Sequence, residues 1–201
     1  MYDVIENTIR NEWFKGHEAT VNEVDGMTVI NFNKPKDSTY AITYIFKDNM
    51  VFISGDVGSA VYRLTWKAQL GTFSDLNIGY FTEKLECSSR EKFEYTQKCI
   101  DDAVREIREQ FLEGENAELE KDREALNNLL HELRHLEDVN EFFVNKAAWE
   151  AAGTNIGERQ FDSDDAQDYV NQSRQYSYSI CSYLIGLKMI EEQVLSNRMA
   201  V

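Results

Sequence analysis

Near Gly79 the chain changes its hydrophobic period, and no other feature constrains its fold as much. Before that point, apolar and aromatic residues alternate in short runs: Ala19–Val24, Met27–Asn33, Tyr40–Phe46, Met50–Ser54 and Ala60–Trp66. A period of two sends successive side chains to opposite faces of a strand. Asp25-Gly26 and Asp48-Asn49 lie between runs, and these residue types tolerate the positive φ of tight primed turns. The single proline, Pro35, falls in the polar stretch Lys34–Thr39, where a loop is expected. The first part therefore predicts an antiparallel meander of four or five strands, with a short helix over Tyr2–Phe14 covering one face.

After Gly79 apolar residues recur every three to four positions. Ser88-Ser89-Arg90-Glu91 reads as a helix N-cap with an acidic first turn, followed by the stripe Phe93, Cys99 or Ile100, Val104, Ile107 and Phe111. A second, highly charged helix begins near Asn116. Leu119, Leu126 and Leu133 are spaced by heptads there, with Leu129 and Leu136 at the interleaved positions, so the seam resembles a short coiled coil and offers a route to homo-oligomers. Phe142–Ala152 is a further apolar segment ending at Gly153. The last helix starts near Gln167–Ser173 and carries Tyr176, Ile180, Leu184, Leu187 and Val194, with Tyr183 and Met189 widening the stripe until most of the helix is buried. Strands first and helices afterwards define an α+β chain: a sheet subdomain over 1–86 and an acidic helical subdomain of three to four helices over 87–201, or one continuous domain.

Acidic residues outnumber basic ones by 36 to 21, a net charge of −15. Such an excess excludes direct binding to DNA, RNA or anionic membranes, all of which need a basic surface. A hydrophobic fraction of 42% with 12% aromatics supplies a core and excludes a disordered acidic chain. Charge is unequally divided: residues 1–86 hold 12 acidic and 8 basic side chains, residues 87–201 hold 24 and 13. Cys87, Cys99 and Cys181 form neither a disulfide framework nor a zinc cluster, and the chain shows no signal peptide and no apolar run long enough to span a bilayer. The reading is a cytosolic protein with no cofactor.

His131-Glu132-Leu133-Arg134-His135 matches H-E-x-x-H, in which two imidazoles one helical turn apart bind zinc and the glutamate polarises water. Glu150 or Glu158 could complete the set. Against this, Arg134 places a charge where a zincin helix is apolar, and with the leucine seam facing inward both histidines project outward. Two solvated histidines are the plainer reading, and a metal-dependent hydrolase is the alternative. Asp162, Asp164, Asp165 and Asp168 suggest a calcium loop, but Ala166, Gln167 and Ser173 occupy its fifth, sixth and twelfth positions, so a helix cap fits better. Gly55-Asp56-Val57-Gly58 lacks the third glycine and the lysine of a phosphate loop and reads as a turn. No histidine stands at a nucleophile spacing from Ser54, Ser59 or the cysteines. Trp13, Trp66 and Trp149 are taken as core residues.

What remains is the acid. Glu106, Glu109, Glu113, Glu115, Glu118, Glu120, Asp122 and Glu124 crowd one stretch, and the four aspartates of 162–168 form a second. A solvated helix pair accounts for them, and so does nucleic-acid mimicry, in which carboxylates replace phosphates in the basic channel of a nucleic-acid-handling protein.

Three segments, Gly55–Trp66 (GDVGSAVYRLTW), Leu76–Cys87 (LNIGYFTEKLEC) and Ser182–Val194 (SYLIGLKMIEEQV), together resemble small accessory proteins encoded by bacteriophages and prophages. The resemblance covers about half the chain and carries no catalytic residue. It implies an accessory product acting in the cytoplasm of an infected bacterium, and inhibition of host defence, anti-CRISPR activity included; a phage assembly or structural factor that oligomerises through the Leu119–Leu136 seam is the further alternative. The implied partner is a protein with a basic nucleic-acid-binding surface, such as a CRISPR effector, contacted through the two acidic stretches.

Overall fold

The computed structural model describes residues 2–112, 120–156 and 159–199. In chain order the first elements are α1 (Tyr2–Thr8), a π-helical turn (Ile9–Trp13), β1 (Glu18–Val24), β2 (Met27–Lys34), β3 (Asp37–Lys47), β4 (Met50–Gly55), β5 (Ala60–Arg63), α2 (Ile78–Glu83) and β6 (Leu85–Ser88). Then come β7 (Phe93–Tyr95), α3 (Gln97–Leu112), α4 (Glu120–Arg134), α5 (Glu141–Ala151), β8 (Asn155–Ile156), β9 (Arg159–Gln160), α6 (Ser163–Gln172), β10 (Arg174–Tyr176) and α7 (Tyr178–Met199). The chain is α+β, with an antiparallel sheet first and helices after it. It forms two compact units: Met1–Lys92 with Ser177–Val201, and Phe93–Tyr176. The boundary read from the sequence at 86/87 thus shifts to residue 92, and the last helix rejoins the sheet unit.

The sheet unit is a six-stranded meander, β1 to β6 in sequence order. The sixth strand, Leu85–Ser88, is too short to show a period in the sequence. Asp25 and Gly26 both take positive φ (48° and 73°), as a two-residue primed turn demands. At Asp48-Asn49 only Asp48 does so. The loop expected over Lys34–Thr39 contracts to Pro35-Lys36, because Lys34 pairs with Asp37 and β3 begins there. Alternation sorts the faces. Ile30, Phe32, Ile42, Tyr44, Phe46, Val51, Ile53 and Tyr62 point inward and are buried. The opposite row, Val29–Ile45–Phe52–Val61, runs across four strands on the outer face. Ile5, Ile9 and Phe14 are buried as well, so the N-terminal segment covers part of the inner face as expected.

Helix α7 is buried continuously from Ile180 to Leu187. Gly186 lets it approach Tyr44, whose hydroxyl donates to the Tyr183 carbonyl at 3.1 Å. Glu191, 1% exposed, is the acceptor that anchors the loop before α2. It receives the backbone N–H of Gly71 (2.6 Å), Thr72 (3.0 Å) and Phe73 (3.1 Å) and the Ser74 hydroxyl (2.5 Å). A carboxylate buried among this many donors is compensated, where an unpaired one would be expelled.

The second unit packs four helices around Ile100, Val104, Ile107, Leu126, Leu133, Val144, Ala148, Phe161 and Tyr169. Leu126, Leu129 and Leu133 are buried in this core and Leu136 packs against it, so this part of the seam is occupied by the chain itself. Leu119 lies outside the described residues. The helix start expected at Ser88–Glu91 is not observed. The Ser88 hydroxyl accepts from Arg90 N and the Ser89 hydroxyl from Ser59 N, both around the end of β6. Phe93 enters β7, which pairs with β10. The helix begins later, where the Thr96 hydroxyl accepts from Cys99 N at 3.2 Å. The polar stretch Gln167–Ser173 belongs mostly to a separate helix, α6, and β10 intervenes before α7.

Candidate protein-binding surface

The charge is more concentrated than the sequence halves suggested. Residues 93–176 contain 21 acidic and 9 basic side chains, a net −12, whereas the sheet unit holds 15 and 12. Within the second unit the acidic residues divide into structural and solvent-facing groups.

On α3 the buried stripe turns Glu106 and Glu109 outward, together with Arg105 and Arg108, and this interleaving dilutes the acid. Asp101 pairs with Arg134 at 2.9 Å and Asp102 with Arg105 at 2.8 Å. Glu124 is exposed on α4. Glu113, Glu115 and Glu118 lie outside the described residues, as do the side chains of Glu120 and Asp122.

The aspartates of 162–168 form the capping box of α6, as their spacing suggested. The Asp162 carboxylate accepts from Asp164 N (2.8 Å) and Asp165 N (3.1 Å), while Asp165 accepts from Asp162 N (3.0 Å). Asp165 is buried and also accepts from Arg159 at 2.9 Å, so its charge is spent within the fold. Asp164 and Asp168 remain exposed, with Asp162. The same helix is tied to α4 by Tyr169, whose hydroxyl donates to the Leu133 carbonyl at 3.0 Å. Burial pushes that phenol up to about 12.

His131 and His135 are exposed, and their rings stand 4.3 Å apart at the end of α4. With Glu132 and Glu150 they line a groove of about 480 Å³ floored by Leu133, Ala147 and Ala151. The structure therefore gathers both imidazoles, the glutamate between them and one proposed third ligand around one groove. Among the described residues, however, no three His, Cys, Asp or Glu side chains are placed to hold a metal ion. Glu158, the other proposed ligand, is outside those residues. No helix among them is long and apolar enough to cross a membrane.

The tryptophan expectation fails for Trp149, which is 52% exposed on α5. Trp13 and Trp66 are partly buried by stacking on Tyr40 (4.7 Å) and Tyr80 (6.0 Å). Phe142 and Phe143 are exposed beside each other at the start of α5. A signal for this was present: Phe142, Phe143, Val144, Ala147, Ala148, Trp149 and Ala151 surround the helix, more apolar positions than one face can bury. Asn140 starts the helix by accepting from Phe143 N at 3.1 Å, and the face that packs into the core is the one bearing Val144 and Ala148.

The chain matches no known family model, no curated protein and no solved structure.

Proposed function

We propose that the protein is a non-enzymatic binding module that occupies the basic nucleic-acid-binding surface of another protein. The observation carrying this reading is the concentration of net −12 into one 84-residue unit, against −3 for the rest of the chain. Charge of this density steers a basic partner into encounter and repels nucleic acid and other acidic proteins. Exposed Glu106, Glu109, Glu124, Asp162, Asp164 and Asp168 supply the contacts, joined by the acidic residues of 113–122. The likeness of three segments to phage-encoded accessory proteins makes a host-defence nuclease, a CRISPR effector above all, the partner of choice. The protein then acts as an inhibitor in the cytoplasm of an infected bacterium.

The test is binding to a Cas-type nuclease at rising ionic strength. Exposed charge pairs are screened over a Debye length of ~8 Å at physiological salt, so the affinity should fall by about tenfold or more between low and high salt. Salt-independent binding, or no binding to any nucleic-acid-handling protein, would reject the reading. A second reading, a metal-dependent hydrolase in the α4–α5 groove, draws on the paired imidazoles. Stoichiometric zinc in purified protein, with an activity lost in Glu132→Gln, would establish it in place of the first.

A further inference from the structure

Helix α5 carries an apolar stripe that its own unit leaves uncovered. Phe142 is 68% exposed, Trp149 52% and Phe143 40%. Phe142 and Trp149 are seven residues apart, so they lie on one side of the helix, about 10 Å from each other along its axis. The opposite side already serves the core: Val144 and Ala148 are fully buried and Ala151 nearly so. A helix that carries apolar residues on two sides, yet buries only one of them, leaves the second open to a partner. Aromatic anchors in such a position are what dominate binding energy at protein interfaces.

The surrounding charge selects the occupant. Glu137, Asp138, Glu141 and Glu150 flank the stripe, and the single base among them, Lys146, lies 3.7 Å from Glu150. Pairing with a second copy would set two units of net −12 against each other. A cationic partner gains where a second copy is repelled, both from the carboxylates and from cation–π contact with the exposed rings. Phe142 and Trp149 stand two turns apart along one side of the helix with Asn145 and Lys146 between them, a spacing that the apolar side chains of a second helix match when it packs alongside.

We propose that the exposed side of α5 is the docking site for a basic amphipathic helix of a partner protein. Leucine-type side chains of that helix cover Phe142 and Trp149, and its lysines and arginines meet the flanking carboxylates. The inference rests on the reading of this unit as the binder of a basic partner and names the anchor of that contact. Acidic side chains elsewhere in the unit set the rate of encounter, and the aromatic stripe sets how long the complex lasts.

The experiment titrates the full-length protein with three synthetic helical peptides by calorimetry. One has a leucine face with Lys/Arg flanks, one has the leucines replaced by serine, and one has the Lys/Arg replaced by glutamate. The first should bind one per chain, and the serine peptide at least about tenfold more weakly, as expected where a few buried anchors dominate. The double variant Phe142→Ser/Trp149→Ser should lose a similar factor for the first peptide. Phe52→Ser, on the outer face of the sheet, should lose nothing. Both α5 side chains are exposed, so the double variant should keep its unfolding midpoint, which is measured alongside. Equal binding of the leucine and serine peptides, unchanged binding by the double variant, preference for the glutamate peptide, dimerisation through α5 or no binding at all would each overturn the proposal. The nuclease experiment fails independently. Peptide binding that needs α5, with no salt-sensitive nuclease complex, leaves the docking site standing and removes the inhibitor reading; a nuclease complex indifferent to the double variant does the reverse.

Discussion

Replacing Glu191 removes the acceptor for three consecutive backbone N–H groups and one hydroxyl. The carboxylate is 1% exposed, and the Gly71, Thr72 and Phe73 amides and the Ser74 hydroxyl converge on it within 3.1 Å. A hydrogen bond to a charged group contributes about 1.5–3 kcal/mol net, so four taken at face value overshoot. Water entering the vacated space and relaxation of the loop recover part of the loss. Removing one side of a buried charged network costs about 3–5 kcal/mol, and Glu191→Ala should fall there, a large share of the ~5–15 kcal/mol that holds a typical domain folded. Glu191→Gln keeps one carbonyl oxygen for the amides, and the Ser74 hydroxyl can turn to accept from the new NH2, so its cost should be about 1–2 kcal/mol. Urea unfolding of wild type and both variants measures the difference. Hydrogen exchange at the amides of 71–73 localises it, since these should lose protection before the sheet does. Glu191→Ala within about 1 kcal/mol of wild type, or unchanged exchange at those amides, would refute the assigned role.

Further expectations concern the same unit. A Cβ on Gly186 would collide with the Tyr44 hydroxyl, which is fully buried and held by the Tyr183 carbonyl, so Gly186→Ala should cost about 1–3 kcal/mol in chemical denaturation. Adding Tyr44→Phe removes the colliding oxygen and should make the double variant less destabilised than the sum of the singles; strict additivity would argue against the contact. His17 is buried, with Nε2 3.3 Å from the Tyr40 carbonyl and a buried Nδ1 lacking any partner among the described residues. Burial lowers its pKa from the ordinary 6.5. The unfolded chain then binds the proton more readily, so the contribution of His17 is complete above pH 6.5 and is lost as pH falls through the folded value. The urea midpoint of His17→Gln should therefore depend less on pH below neutrality than that of wild type, and parallel pH profiles would contradict this.

Much of the sheet was legible because its determinants are local. Asp25-Gly26 turns where two positive φ values are required, and the alternation through Ile30, Tyr44, Val51 and Tyr62 names the inner face. The seam of Leu126, Leu129 and Leu133 and the cap at Asp162–Asp165 were equally readable, since each is set within one or two helical turns. The misses depend on distant partners. Phe93 became a strand residue because Tyr176 pairs with it across more than eighty positions, and the two rings stack at 5.1 Å. Glu191 acquires its role only from the 71–74 loop, more than a hundred positions away, which closes over it. A tryptophan is a core residue by type alone, and Trp149 faces solvent because α5 packs its Val144–Ala148 face inward. The candidate surface was legible as charge and illegible as shape: sequence located the acid, while burial separated spent Asp165 from exposed Asp164 and Asp168.

On the proposed reading the acidic unit takes the place of nucleic acid on a basic surface. Equilibrium competition tests it most directly: a labelled oligonucleotide bound to a Cas-type nuclease is titrated with the protein at several salt concentrations. Stoichiometric, mutually exclusive displacement is expected, weakening as salt rises and as Glu124→Lys and Asp168→Lys are introduced. A ternary complex holding oligonucleotide and protein together, or displacement untouched by salt and by both reversals, would contradict it.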